Sequence, residues 1–179
     1  MTNYYLDLET QGFNPESDKV ITIQYQELDG NCNPKGPLIK LKEWEIGEEM
    51  MMKLFHRKLM EGGSWGFVPV GQNLIFDFTF LSSKFKKYGL EFDDLSKYIY
   101  NKPMVDIKHS LIIANDVEFK GSGLDQMTNK KTDGRAIPTF YKNKEYDKIE
   151  EYIDQETESF LEAFQKLRLV LKEAFKKNV

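Results

Sequence analysis

Cysteine is nearly absent from the sequence: among 179 residues there is one, Cys32. A single thiol excludes an internal disulfide framework and points to a reducing compartment. Histidine is almost as scarce, with two residues, so the chain cannot assemble the Cys/His set of a structural zinc site. No apolar run approaches the roughly 20 residues that span a bilayer. The opening Met-Thr-Asn-Tyr-Tyr has neither the basic nor the apolar region of a secretory signal. The expected location is therefore the cytoplasm, with no membrane partner. Positive charge is not in excess either: 25 Lys and Arg stand against 29 Asp and Glu, a net charge of −4. That excludes coating nucleic acid through bulk charge. It leaves open an acidic centre that holds cations beside a few local lysines.

What is present is a globular composition, 40% hydrophobic and 30% charged, at a length that fits one domain. Tyr4-Tyr5-Leu6 reads as a buried strand, followed by a turn around Gly12 and Pro15. The β-branched stretch 20–26 reads as a second strand hairpinned to the first, and 38–41 as a short third. A helix over 43–60 follows, with an apolar stripe of Met50, Met51, Leu54, Phe55 and Leu59, ended by Gly62-Gly63. A strand at 67–71, a helix over 76–88 stopped by Gly89, and a strand at 103–106 leading into a helix through 113 complete the middle. From 117 to 146 periodicity fades beyond a turn of helix near Leu124, and long irregular stretches in a compact domain are usually functional. A long helix closes the chain over 145–177. The expected fold is α/β with a mixed sheet flanked by helices. Trp44, Trp65 and the methionines are expected in the core.

Three carboxylate-bearing segments stand out. Asp7 and Glu9 are two apart on the first strand and share a face, either as an exposed acidic strand end or as ligands of a hard cation. Asp77 lies among Leu74, Ile75, Phe76, Phe78, Phe80 and Leu81. There it is either a helix cap or a buried ligand, because an unpaired buried carboxylate is costly. Asn73 is placed to brace the preceding turn. On the last helix Ile149, Ile153, Phe160, Phe164, Leu167 and Leu171 form a stripe, and Glu156 falls in its gap, one turn from Tyr152. Asp154, Glu158, Glu151 and Asp147 fall on the polar face. Asp106 is expected to cap the helix it precedes. Lys84, Lys86 and Lys87, and Lys130, Lys131 and Arg135, are either solvated surface or contacts to a phosphate backbone. His56 and His109 have no catalytic company and are expected to be structural or superficial.

Asp7-Leu8-Glu9-Thr10-Gln11-Gly12-Phe13, Asn73-Leu74-Ile75-Phe76-Asp77 and Tyr152-xxx-Glu156 together resemble the three motifs of the DEDD (DnaQ-like) 3′–5′ exonucleases, tyrosine type, in order and coarse spacing. The third motif normally ends in Asp; here it ends in Glu156, one methylene longer. The resemblance implies a ribonuclease-H-like fold over residues 1–179 and hydrolysis at the 3′ end of single-stranded DNA or RNA by two Mg²⁺ or Mn²⁺ ions. It implies that Asp7, Glu9, Asp77 and Glu156 hold those ions and that Tyr152 orients the attacking water. It further implies that Thr10, Gly12, Phe13 and Asn73 receive the terminal nucleotide. A catalytically weakened nucleic-acid-binding protein on the same fold is the alternative, and an endonuclease the third reading. Any role in proofreading would then need a polymerase on another chain.

Overall fold

The alternation of Tyr4, Leu6 and Leu8 with Tyr5, Asp7 and Glu9 gives the first strand two different faces, and both are used. A computed structural model describes residues 1–128 and 133–176, with the side chain of Met127 excepted. The chain opens with β1 (Asn3–Thr10), β2 (Val20–Leu28) and β3 (Ile39–Lys42). Helices α1 (Glu43–Ile46) and α2 (Glu48–Met60) lead to β4 (Val68–Gly71). Next come α3 (Leu74–Lys87), α4 (Leu95–Asn101), β5 (Val105–Asp106) and α5 (Lys108–Ala114). Helices α6 (Leu124–Met127), α7 (Ile137–Lys142) and α8 (Tyr146–Ala174) finish it. The sheet runs β3-β2-β1-β4-β5. Its β3-β2-β1 half is antiparallel, and β4 is parallel to both β1 and β5. This is the mixed sheet expected from the sequence. No helix among the described residues is long and apolar enough to cross a membrane.

One face of β1 is apolar. Tyr4, Leu6 and Leu8 pack with Met51, Met52 and Phe55 of α2 and with Leu74, Phe78, Leu81 and Phe85 of α3. Burying each large apolar side chain contributes about 1.5–3 kcal/mol. On the other face Tyr5 meets Phe160 of α8, ring centroids 4.9 Å apart, so Asp7 and Glu9 look toward α8.

Several elements differ from the sequence expectation. The helix anticipated over 43–60 is cut at Gly47, whose φ of 77° and ψ of 151° no α-helix can contain. The cut sets which face α2 buries: Glu48, Met51, Met52, Phe55 and Leu59 point inward, while Met50 and Leu54 of the anticipated stripe are exposed. Trp65 is 57% exposed rather than core, and Trp44 is half-buried, stacked on Tyr146 at 4.6 Å. Helix α3 starts at Leu74, ahead of the expected Phe76, because Asn73 takes a left-handed conformation that begins it. Within 117–146 the turn near Leu124 is present as α6, whereas α7 was not anticipated. Its Pro138 reads as a breaker in the sequence but sits in the first helical turn, where a missing N–H costs nothing. Along α8, Leu171 is exposed, so the stripe outruns the core.

Two buried charges tie α2 to α3. Glu48 Oε1 accepts from the Val20 N–H at 2.9 Å, and its Oε2 accepts from the Tyr88 hydroxyl at 2.6 Å and Lys87 Nζ at 2.9 Å. Lys84 is 1% exposed and lies 4.0 Å from Glu48. Its ammonium donates to the Pro15 carbonyl at 2.8 Å, so Lys84 is a structural cation and not one that tracks a phosphate backbone. Burial pushes the Glu48 carboxyl up, but the bonds from Tyr88, Lys87 and the Val20 amide outweigh it and hold the group below its usual value. A lowered carboxyl contributes stability that is present above the unfolded value near 4.3 and lost as pH falls through the folded one. Glu48→Gln is expected to cost about 3 kcal/mol in urea unfolding at pH 7, with the gap to wild type narrowing below about pH 4.

Candidate active site

Pairing of β1 with β4 runs from Asn3↔Val68 to Tyr5↔Val70. Farther along β1, the Leu8 N–H donates instead to Asp77 Oδ1 at 3.0 Å. Asp77 lies in the first turn of α3, and its side chain takes the place of a strand partner. The turn before it is tight. A Cβ on Gly71 would stand 2.6 Å from the Leu6 carbonyl oxygen and 2.6 Å from the Leu74 side chain. Asp106 then caps twice, accepting from Lys108 N–H at 2.9 Å for α5, as expected, and from Asn73 and Leu74 N–H at 2.9 and 2.8 Å for α3. The Asn73 amide oxygen accepts from Lys108 Nζ at 2.7 Å.

Asp7 and Glu9 stand opposite Gln24 and Thr22 in the β1–β2 register. The Thr22 hydroxyl donates to Gln24 Oε1 at 2.9 Å, which turns the Gln24 NH₂ group to donate to Asp7 Oδ2 at 2.7 Å. Sequence reading missed both residues, because their role appears only once register is known. Thr10 Oγ1 donates to the Gly12 carbonyl at 2.7 Å, bending the chain into the β1–β2 loop. Phe13 at its tip is 84% exposed and meets Phe76 edge-on, centroids 6.3 Å apart. The loop is pinned by its Pro15 carbonyl, which accepts from Ser83 Oγ at 2.9 Å and Lys84 Nζ at 2.8 Å.

Helix α8 supplies the opposite wall. Tyr152 is buried and Glu156 half-buried, while Glu151, Asp154 and Glu158 are exposed, so the helix faces are those the spacing indicates. Asp154 pairs with Lys40 at 2.6 Å, away from the cavity. The Tyr152 hydroxyl lies against Gly134, where a Cβ would come within 2.8 Å of it. Burial first, then the charges of Glu9 and Asp7, raise the Tyr152 phenol far above its ordinary value. At neutral pH it therefore keeps its proton and has a hydroxyl hydrogen to offer.

All nine candidate residues, Asp7, Glu9, Thr10, Gly12, Phe13, Asn73, Asp77, Tyr152 and Glu156, line one cavity of 560 Å³. Asp125, Asp133, Arg135 and Pro138 join them. The two further acids went unrecognised in the sequence, although the stretch that carries them stood out for its length and irregularity. Arg135 pairs with Asp133, and Lys130 and Lys131 lie outside the described residues. Asp77 is 3% exposed. Burial, and after it the charge of Asp7, holds its carboxyl well above the usual carboxylate range. Among the described residues no three acids or histidines already stand at metal-ligand separations. The fit to a cation is one of chemistry: a wall carrying Asp7, Glu9, Asp77, Asp125, Asp133 and Glu156 offers the carboxylate oxygens that suit hard ions such as Mg²⁺ or Mn²⁺.

No family model matches the chain, and no curated protein sequence does. Solved structures of exonuclease I match its fold. One, described as suggesting how processivity is achieved, shares 14% identity at a TM-score of 0.55 over 70% of this chain and 34% of its own. E. coli exonuclease I in complex with a dT13 oligonucleotide gives 14% identity and a TM-score of 0.54 over 67% and 31%. The same enzyme with a 5cy-dA13 oligonucleotide gives 14% and 0.53 over 67% and 31%. The chain thus spans about a third of the length of these structures. At such identity the likeness establishes the fold, a ribonuclease-H-like mixed five-stranded sheet flanked by helices.

The carboxylate cluster makes a stability prediction. A carboxyl raised in the folded state holds its proton more tightly than the unfolded one near 3.9, so stability is lost as pH rises above that value. Asp77→Asn keeps an oxygen for the Leu8 amide and removes the charge. In differential scanning calorimetry of the metal-free protein it should raise Tm by a few degrees at pH 8 and by little at about pH 4.

Proposed function

We propose that residues 1–179 form a metal-dependent 3′–5′ exonuclease domain that hydrolyses phosphodiester bonds at the 3′ end of single-stranded nucleic acid, in the cytoplasm. One observation carries the reading. Residues from three distant segments, chosen by motif, all line a single cavity of a ribonuclease-H-like fold. The similar structure that holds dT13 supports single-stranded DNA as one substrate class.

Asp7, Glu9, Asp77 and Glu156 are the residues to hold two divalent cations, Mg²⁺ or Mn²⁺. When bound, such cations acidify water and neutralise charge on the leaving oxygen. Asp7 is oriented by Gln24 and Asp77 by the Leu8 amide, so two of the four ligands are fixed before any ion arrives. Tyr152, held protonated, donates to the attacking water and orients it; it is not the base. Thr10, Gly12 and Asn73 shape the pocket for the terminal nucleotide, and the exposed ring of Phe13 offers a base a face to stack on. The longer arm of Glu156 reaches the cavity from a half-buried position and loses more rotamer freedom when fixed than Asp would.

A second reading, a nucleic-acid-binding protein with a weakened site, is favoured by Glu156 in place of the family's Asp and by the lack of preformed ligand separations among the described residues. A 5′-labelled single-stranded DNA or RNA with Mg²⁺ or Mn²⁺ separates the readings. The exonuclease gives a ladder shortening from the 3′ end, while binding without cleavage supports the second reading and internal cuts an endonuclease. Asp7→Ala and Glu156→Ala should each slow cleavage about a hundredfold or more, roughly 2.7 kcal/mol of barrier, and Asp154→Ala should leave it intact. Full activity in Glu156→Ala would remove Glu156 from the site.

A further inference from the structure

Beside the acidic cavity lies a second one of 460 Å³. The two share a wall. Pro138 lines both, and the β1–β2 loop gives Gln11 to the second cavity while Gly12 and Phe13, the next residues, line the first. Charge changes sign across this wall. The first cavity carries Asp7, Glu9, Asp77, Asp125, Asp133 and Glu156 against Arg135. The second carries Lys142 and Lys144 against Asp18. Asp18 is turned into its own loop, accepting from the Asn14 N–H at 2.9 Å and the Ser17 hydroxyl at 3.2 Å. Both lysines are exposed.

Two tyrosines, Tyr141 and Tyr146, line this cavity and are held in place. Tyr141 bonds through its hydroxyl to Glu43, whose charge is met by Lys19 at 2.7 Å. Tyr146 is stacked on Trp44 with an interplanar angle of 5°. Rings fixed in this way lose little freedom when a ligand settles on them. Lysines beside immobilised rings, in a cavity adjoining the first across Pro138, form the pattern that tracks a single strand: cations for phosphates, π-faces for bases.

We propose that this second cavity is a subsite for single-stranded nucleic acid upstream of the 3′ end, with Lys142 and Lys144 each meeting a backbone phosphate. The inference rests on the exonuclease reading of the first cavity. The carboxylates of the first cavity repel the phosphates of a strand entering it, and lysines beyond its wall add attraction on the far side.

The test is fluorescence anisotropy of 5′-labelled dT8 and dT2 with Mg²⁺, using full-length protein carrying Asp7→Asn so that the probe survives. Adding Lys142→Ala and Lys144→Ala should lower the salt dependence of dT8 binding by about 1.4, two phosphates at roughly 0.7 each. That slope corresponds to about 25-fold in affinity between 1 M and 0.1 M salt. The advantage of dT8 over dT2 should shrink with it, and Lys142→Arg with Lys144→Arg should restore both. An unchanged slope, or equal binding of dT8 and dT2 when the lysines are intact, overturns the subsite. Hydrolysis by the wild type is scored separately. Its absence would sink the exonuclease reading, while lysine-dependent strand binding would still support the subsite.

Discussion

The hydrogen bond from the Leu8 amide to Asp77 is the constraint on which the site depends. It gives a backbone donor at the end of β1 a partner where β4 no longer runs alongside, and an orphaned buried amide costs about 1–3 kcal/mol. The same carboxylate lines the acidic cavity and is repelled by Asp7. Asp77 therefore cannot swing away from its neighbour without abandoning Leu8. Repulsion that a mobile side chain would relieve is locked in, and the lock is made of ordinary sheet chemistry.

The two faces of β1 divide the work. On the α3 side Tyr4, Leu6 and Leu8 supply the apolar packing that fixes the strand. On the α8 side the buried polar groups Thr22 and Gln24 do something packing cannot: they aim an amide at Asp7. The loop that follows is held by a third device, the buried Lys84 ammonium on the Pro15 carbonyl. The strand, the Asp7 carboxylate and the loop are thus each held by a different interaction.

Much of this was legible in the sequence, because periodicity is a local property. The Tyr152–Glu156 spacing on a helix and the Asp7–Glu9 spacing on a strand each imply a face, and the structure places those four side chains on one cavity. The α3 turn was legible through Asn73 and the apolar company of Asp77. What escaped was set by contacts between distant segments. Lys84 sits among lysines that read as surface, and only the packing of α2 against α3 gives it Glu48 as a neighbour. Gly47 looks like one more residue of a helix until its backbone angles are seen. Asp125 and Asp133 belong to a stretch without periodicity, so nothing local marks them as cavity walls.

Gly71 acts as a ruler. The hydrogen at its Cα is all that fits between the Leu6 carbonyl and Leu74, so the gap between β1 and the start of α3 is set by the smallest residue there is. A methyl group would push the helix outward, and the displacement would be carried rigidly to Asp77 in the first turn. Under the exonuclease reading, misplacing Asp77 by about 1 Å costs on the order of a hundredfold in rate, comparable in free energy to the roughly 1–3 kcal/mol that overpacking costs the fold. One methyl added at this position thus presses on the sheet and, through the first turn of α3, on the acidic cavity at the same time.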